Sequence, residues 1–146
     1  MPRVTAILVV RNGEQWLDRT LAALAAQTRR PDGLVLVDAG STDGSSERLA
    51  AAAGTQFVTA DAPSFGAGVA VGVRATQPDE ADEWLWLLGA DTAPEQDALR
   101  QLLAAVEVAP SVAIAGPKLV DPLDRSHLLS FGESLSQLGA TVRTLD

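Results

Sequence analysis

Aspartates close two apolar runs of this sequence, and a polar pair closes a third. Val35-Leu36-Val37 ends in Asp38, followed by the small-residue loop Ala39-Gly40-Ser41-Thr42 and a second aspartate, Asp43. Trp84-Leu85-Trp86-Leu87-Leu88 runs into Gly89-Ala90-Asp91, and Val4-Thr5-Ala6-Ile7-Leu8-Val9-Val10 runs into Arg11-Asn12-Gly13. A carboxylate at the end of a buried strand can accept hydrogen bonds from a polar ligand or bind a hard cation through oxygen. Magnesium and manganese suit such donors and are commonly held by one or two carboxylates plus substrate phosphates. Asp91 is the candidate metal ligand on this reasoning. Each aspartate also has a local reading. Asp38 fits a turn aspartate bonding its own backbone, Asp43 fits a helix cap, and Asp91 fits an aid to Thr92 in starting a helix. Adjacent loops carrying polar groups at one sheet edge favour a site over a scatter of turns.

Strands and helices must bring those loops together. Residues 4–10 are β-branched and almost entirely apolar, the pattern of a strand buried on both faces. Trp16, Leu17, Thr20, Leu21 and Leu24 then recur at helical spacing, in a helix expected to end near Gln27-Thr28, ahead of Pro31. Residues 34–37 are the second strand, 46–53 the second helix closed by Gly54, and 55–59 a weaker third strand. Residues 66–76 read as a helix despite the glycines Gly66, Gly68 and Gly72. Their spacing does not match a dinucleotide-binding fingerprint, and close approach of backbone to a ligand or a neighbouring strand explains them better. Residues 84–88 are the fourth strand, with Trp84 and Trp86 on one face as core. Thr92-Ala93-Pro94-Glu95 fits a capping box, ahead of a helix with the apolar stripe Leu99, Leu102, Leu103 and Val106. Residues 112–115 are expected to form a fifth strand. The tail from Lys118 is less regular, although Phe131 and several leucines imply burial. The order βαβαβαβαβ predicts an α/β fold, a Rossmann-like, mostly parallel sheet with helices on both faces.

Composition restricts the partners. The net charge of −8 disfavours nucleic acid and anionic membrane surfaces. An anionic ligand would call for a bound divalent cation, which inverts the local field. Cysteine is absent, which excludes disulfides and thiolate metal sites and makes the reducing cytoplasm the default location. No apolar run approaches the roughly 20 residues that span a bilayer, and the N-terminus carries no signal-peptide pattern. The 146 residues are expected to form a single domain with its own core. His127, the one histidine, stands far from the acidic loops and reads as a surface or satisfied core residue.

Residues 4–12, Trp16-Leu17, Thr20-Leu21, Gln27-Thr28, Pro31-Asp32 and 37–44 together resemble the N-terminal pattern of family 2 glycosyltransferases. Residues 84–94 resemble the strand and metal-binding loop of the same family. The resemblance implies a GT-A fold whose Rossmann-like half binds a nucleotide-diphosphate sugar with Mg or Mn, for inverting transfer to an acceptor hydroxyl. By position, Asp38 matches the aspartate that contacts the base or ribose, and Asp43 a second loop aspartate with a more structural role. Asp91 matches the last aspartate of the DxD-type motif, the ligand of the divalent ion on the diphosphate. The backbone around Val10 and Arg11 lines the nucleotide pocket, and Asn12, Gly89 and Ala90 complete the implied nucleotide-sugar-binding set. A glycan or lipid-linked acceptor is also implied, with membrane association, on the cytoplasmic face, only through a longer parent protein.

The sequence departs from the family pattern at Gly89-Ala90, where acidic residues usually precede the final aspartate. Ala90 contacts neither ribose nor metal, which makes the motif a DxD variant. Val69-Ala70 stands in place of the family's usual Arg-Asn pair. The catalytic base is unknown: Asp121, Asp124 and Glu133 are present, but nothing around them marks one. The chain is therefore expected to be a single donor-binding domain, residues 1–146. It reads as a fragment lacking most of the acceptor-binding half and inactive by itself. Alternatives are a degenerate, non-catalytic glycosyltransferase-like domain and, less favoured, a phosphoacceptor receiver. In the receiver reading Asp38 is phosphorylated and Lys118 follows the fifth strand, but Arg11-Asn12 occupies the place of the required acidic pair.

Overall fold

The apolar run after Arg3 is buried from Val4 to Val10 and forms the first strand of a four-stranded parallel sheet. The structure, a computed structural model, describes residues 1–52, 56–76, 83–130, 134–135 and 141–142. The chain divides into two compact units, Met1–Leu99 and Arg100–Asp146.

In the first unit, β1 (Arg3–Val10), α1 (Glu14–Ala25), β2 (Gly33–Asp38), α2 (Ser45–Ala51), β3 (Gln56–Thr59), α3 (Phe65–Ala75) and β4 (Glu83–Gly89) alternate. The sheet order is β3-β2-β1-β4. β3 therefore lies beside β2 and not beside β1, the order of a Rossmann half and not of the flavodoxin-like fold to which receivers belong. The register pairs Val10 with Asp38 on one side of β1 and Val9 with Gly89 on the other. The loops after β1, β2 and β4 thus leave the sheet at one level.

Alternate strand residues serve opposite faces. Ile7, Val9, Val35 and Val37 form a core cluster with Ala39 and Ala62, against which Ala67, Val69, Val71 and Ala75 of α3 pack. Ala6, Leu8, Val10 and Leu36, of the other parity, are fully buried, as are Leu17 of α1 and Leu49 of α2. The small residues of α3 allow close approach. A Cβ on Gly72 would sit 2.5 Å from Ile7 Cγ2, and one on Gly68 would collide with Val9 Cγ1. The neighbour these glycines approach is the sheet. Trp86 is buried and Trp84 half-buried.

Several sequence expectations fail, and the tail is one: its described leucines Leu119, Leu123, Leu128 and Leu129 are exposed. Thr92 does not cap a helix. Its hydroxyl and its N–H both bond the Gly89 carbonyl, at 2.7 and 3.2 Å, in a turn directly off β4. Helix α4 begins only at Ala98 and runs to Glu107, with Leu99, Leu103 and Val106 buried and Leu102 half-buried. Residues 112–118 form no strand, and Ile114 is 90% exposed. Pro110 on one side and Gly116-Pro117 on the other leave too short a β-branched run to hold an extended ladder.

The second unit contains two short antiparallel pairs among its described residues. β5 (Leu119–Val120) pairs with β6 (Leu128–Ser130), and β7 (Ser134–Leu135) with β8 (Thr141–Val142). Asp121 Oδ1 accepts from the Leu123 N–H at 2.7 Å, and Asp124 Oδ1 from the Ser126 hydroxyl at 2.6 Å, so both carboxylates shape the β5–β6 connection. Gly54, Phe131 and Glu133 lie outside the described residues.

Candidate functional site

Asp38 ends β2 and is 5% exposed. Its Oδ1 accepts from the Ser41 N–H at 3.0 Å, and Gly40 turns the chain at φ +84°, a conformation that suits glycine. Oδ2 has no donor among the described residues. No fully buried side-chain oxygen there lacks a partner, so Oδ2 reaches solvent at the sheet edge. The turn reading and the ligand reading of Asp38 thus apply to different oxygens of one carboxylate.

The loops after β1 and β2 grip each other. The Asn12 N–H donates to Ser41 Oγ at 3.0 Å, and Asn12 Oδ1 accepts from the Thr42 N–H at 2.8 Å. The Gly13 N–H donates to Ser45 Oγ at 2.9 Å, in a fully buried contact. Asp43 serves two helix starts at once. Its Oδ2 accepts from the Glu14 N–H at the start of α1, and its Oδ1 from the Ser45 N–H at the start of α2. Neither helix has a side-chain cap at its own N-cap residue, Gly13 or Gly44. Cross-capping fills part of that role, since helix N-termini favour a carboxylate. The Ser45 side chain, joined by the Ser45 and Glu14 N–H groups, outweighs desolvation and holds the Asp43 carboxyl below its usual value. Glu14 Oε2 returns the contact by accepting from the Gly44 N–H at 3.1 Å.

Arg11 faces another direction. Its Nη1 donates to the Ala62 carbonyl at 3.2 Å, reaching the segment between β3 and α3. Beside it lies a cavity of about 220 Å³ lined by Val9, Arg11, Ala39, Ala62, Pro63, Ser64 and Phe65. Ser64 caps α3, accepting from the Ala67 N–H, and Phe65 is 49% exposed. No sequence motif marks this wall as part of the site. Its signal was Ser64 ahead of a helical stretch, at the exit of a strand parallel to the others.

At β4 the carbonyl of Ala90 accepts from the buried Thr20 hydroxyl of α1 at 2.7 Å. A Cβ on Gly13 would lie 2.5 Å from that of Ala90, so the β1 and β4 loops touch there. Asp91 is exposed, and a Cβ on Gly89 would come 3.1 Å from its Oδ1. Downstream, Gln27 is 4% exposed and ties the segment to α1. Its Nε2 donates to the Glu95 carbonyl at 2.7 Å, and its Oε1 accepts from the Leu99 N–H at 3.2 Å. Gln27 thereby supplies an acceptor to the first turn of α4. Among the described residues no cluster of His, Cys, Asp or Glu is ready-made for a metal ion.

The parallel register thus gathers Val10, Arg11, Asn12, Asp38, Asp43, Gly89, Ala90 and Asp91 at the carboxyl edge of one sheet, where open α/β sheets bind ligands. The sequence profile described as Glycosyl transferase family 2 matches residues 5–127. The chain belongs to glycosyltransferase family 2. Among curated protein sequences none matches it. Solved structures share its fold. TarS residues 1–349 of S. aureus in complex with UDP is 18% identical with a TM-score of 0.57, covering 80% of this chain and 38% of that one. The same TarS segment in complex with UDP-GlcNAc gives 18% identity and a TM-score of 0.56, over 80% of this chain and 37% of that one. A longer TarS structure gives 17% and 0.58, over 81% and 24%. This family 2 chain spans less than two fifths of the length of these solved chains. None of its helices, among the described residues, is long and apolar enough to cross a membrane.

Proposed function

We propose that this carboxyl edge binds a nucleotide-diphosphate sugar, and that the chain is the donor-binding part of an inverting glycosyltransferase. The observation that carries the reading is Asp38, a carboxylate held rigidly by its turn, with Oδ2 unpartnered at the sheet edge of a family 2 chain. That oxygen suits the N–H of a base or a ribose hydroxyl. The cavity between Arg11, Ala39 and Phe65 is of a size and lining to receive a flat ring, with Phe65 offering a stacking face. The UDP and UDP-GlcNAc complexes of TarS support the same ligand class.

A divalent ion fits the donor chemistry in part. Asp91 offers one exposed carboxylate, and Gly89 and Ala90 offer no side-chain oxygen. An ion such as Mg or Mn would therefore be held by Asp91 together with the diphosphate, in line with the habits of these ions. Bound there, it would neutralise the departing diphosphate. Thr20 and Gln27 fix the backbone on both sides of Asp91 and so set where that carboxylate stands. In the transfer, an acceptor hydroxyl attacks the anomeric carbon, the bond to the diphosphate breaks, and the hydroxyl proton passes to a base that no residue of this chain is assigned.

Titrating UDP, GDP and dTDP into the protein by calorimetry, with and without manganese, tests the reading. It expects one nucleotide to bind, more tightly with manganese. No binding by any of them would end it. A second reading, a donor-binding domain that no longer transfers, is favoured by Ala90. Nucleotide binding that is indifferent both to manganese and to Asp91→Ala would select it.

A further inference from the structure

Asn12 is the one described non-glycine residue with positive φ, at +52°. Asparagine tolerates that region better than most residues, yet the position still carries a conformational cost. The geometry gains contacts on three groups of the neighbouring loop. The Asn12 N–H donates to Ser41 Oγ, and Asn12 Oδ1 accepts from both the N–H and, at 3.3 Å, the hydroxyl of Thr42. Ser41 in turn donates its own N–H to Asp38 Oδ1. The contacts form a relay from Asn12 through Ser41 to the carboxylate at the sheet edge.

We infer that Asn12 is a positioning residue for Asp38 and not a donor contact. Its side-chain oxygen is already engaged by Thr42 and its N–H by Ser41, which leaves the side-chain NH2 as the group whose removal tests the assignment. Gripping Ser41-Thr42 fixes the turn whose N–H orients Oδ1, and so fixes the direction in which Oδ2 is offered. Without the grip the turn keeps its glycine at Gly40 and gains freedom, and Asp38 samples orientations that do not meet the ligand. The inference rests on the donor-site reading for its consequence, but the relay itself can be measured without a ligand.

Two substitutions separate the possibilities in the full chain. Asn12→Gly accepts the left-handed backbone freely and removes the Oδ1 grip. Asn12→Asp keeps an oxygen for Thr42 and removes the amide NH2. Amide hydrogen exchange at Thr42, read by NMR, is expected to quicken about tenfold or more in Asn12→Gly and to stay near wild type in Asn12→Asp. UDP affinity with manganese is expected to fall about tenfold in Asn12→Gly and to remain within about threefold in Asn12→Asp. That titration is run in about 0.5 M salt, where the added charge is screened within roughly 4–5 Å. Equal loss of affinity in both variants, with Thr42 still protected in Asn12→Asp, would make Asn12 a direct contact and overturn the inference. Unchanged exchange at Thr42 in Asn12→Gly would also overturn it. If wild type binds none of UDP, GDP and dTDP, the donor-site reading fails separately, and the Thr42 exchange still decides whether the Asn12 side chain holds this turn.

Discussion

Helix α3 contains glycines in opposite circumstances, and alanine at each should change stability in opposite directions. A Cβ on Gly66 meets nothing within 4 Å. One on Gly68 collides with Val9 Cγ1 and also reaches Val9 Cγ2 at 3.4 Å, and one on Gly72 meets Ile7 Cγ2 at 2.5 Å and Val37 Cγ2 at 3.2 Å. All three substitutions gain helix propensity, up to about 1 kcal/mol relative to glycine. At Gly66 only that gain acts, and Gly66→Ala should stabilise by about 0.5 kcal/mol. At Gly68 the obstructing atom belongs to a β-branched side chain with little χ1 freedom, in a strand that is 5% exposed at Val9. The helix must lift or the strand must bend. Overpacking of this kind costs about 1–3 kcal/mol, so Gly68→Ala should lose about 1–2 kcal/mol net. Gly72→Ala obstructs two strands and should lose about 2–3 kcal/mol. Urea unfolding monitored by tryptophan fluorescence and circular dichroism measures all three. Because Val9 also lines the cavity next to Phe65, Gly68→Ala should in addition weaken nucleotide binding more than Gly66→Ala does. If Gly68→Ala stabilises the protein as much as Gly66→Ala, the close approach of α3 to β1 described above is wrong.

Gln27→Ala should cost about 1–3 kcal/mol, since it leaves the buried Leu99 N–H without its acceptor, while the Glu95 carbonyl keeps the Ala98 N–H; urea midpoints check it, and a loss under about 0.5 kcal/mol would refute the tether. Asp43 is predicted to make stability depend on acid. Its folded carboxyl titrates below the ordinary 3.8, so its contribution is complete above that value and is lost as pH falls through the lower folded value. The stability difference between wild type and Asp43→Asn should therefore be flat from about pH 5 to 7 and shrink below about pH 4. A difference that grew in acid would reverse the sign and contradict the cross-capping. Thr20→Val should destabilise by about 1 kcal/mol through the lost bond to the Ala90 carbonyl, and should reduce the manganese-dependent part of nucleotide affinity more than the manganese-independent part.

What could be read from the residues was whatever depends on neighbours in sequence. Continuous apolar runs located β1, β2 and β4, and the spacing of Leu17, Thr20 and Leu24 located the buried face of α1. Trp16, counted in that stripe, is 42% exposed, because it lies at the stripe's margin near the helix start. What could not be read depends on partners far along the chain. Gln27 reaches across 68 to 72 positions to Glu95 and Leu99, and nothing local distinguishes it from a surface glutamine. The same contact explains why the Thr92-Glu95 pattern misled: the acceptor that helps start α4 comes from the segment just after α1, far along the chain. The order β3-β2-β1-β4 was likewise undetermined by the alternation of elements, and it is this order that sets β1 between the two acidic loops. At Asp38 the residues allowed a turn or a ligand site, and the structure divides its two oxygens between them.

The proposed donor site depends most directly on Asp38. Calorimetric titration of UDP, with manganese, into wild type and into Asp38→Ala is the decisive comparison, with GDP and dTDP in its place if UDP is not the preferred nucleotide. A hydrogen bond to a buried charged group contributes about 1.5–3 kcal/mol, so the substitution should weaken binding roughly 10- to 100-fold, while circular dichroism reports the same fold. Equal affinity in the two proteins would contradict the claim that this carboxylate recognises the donor.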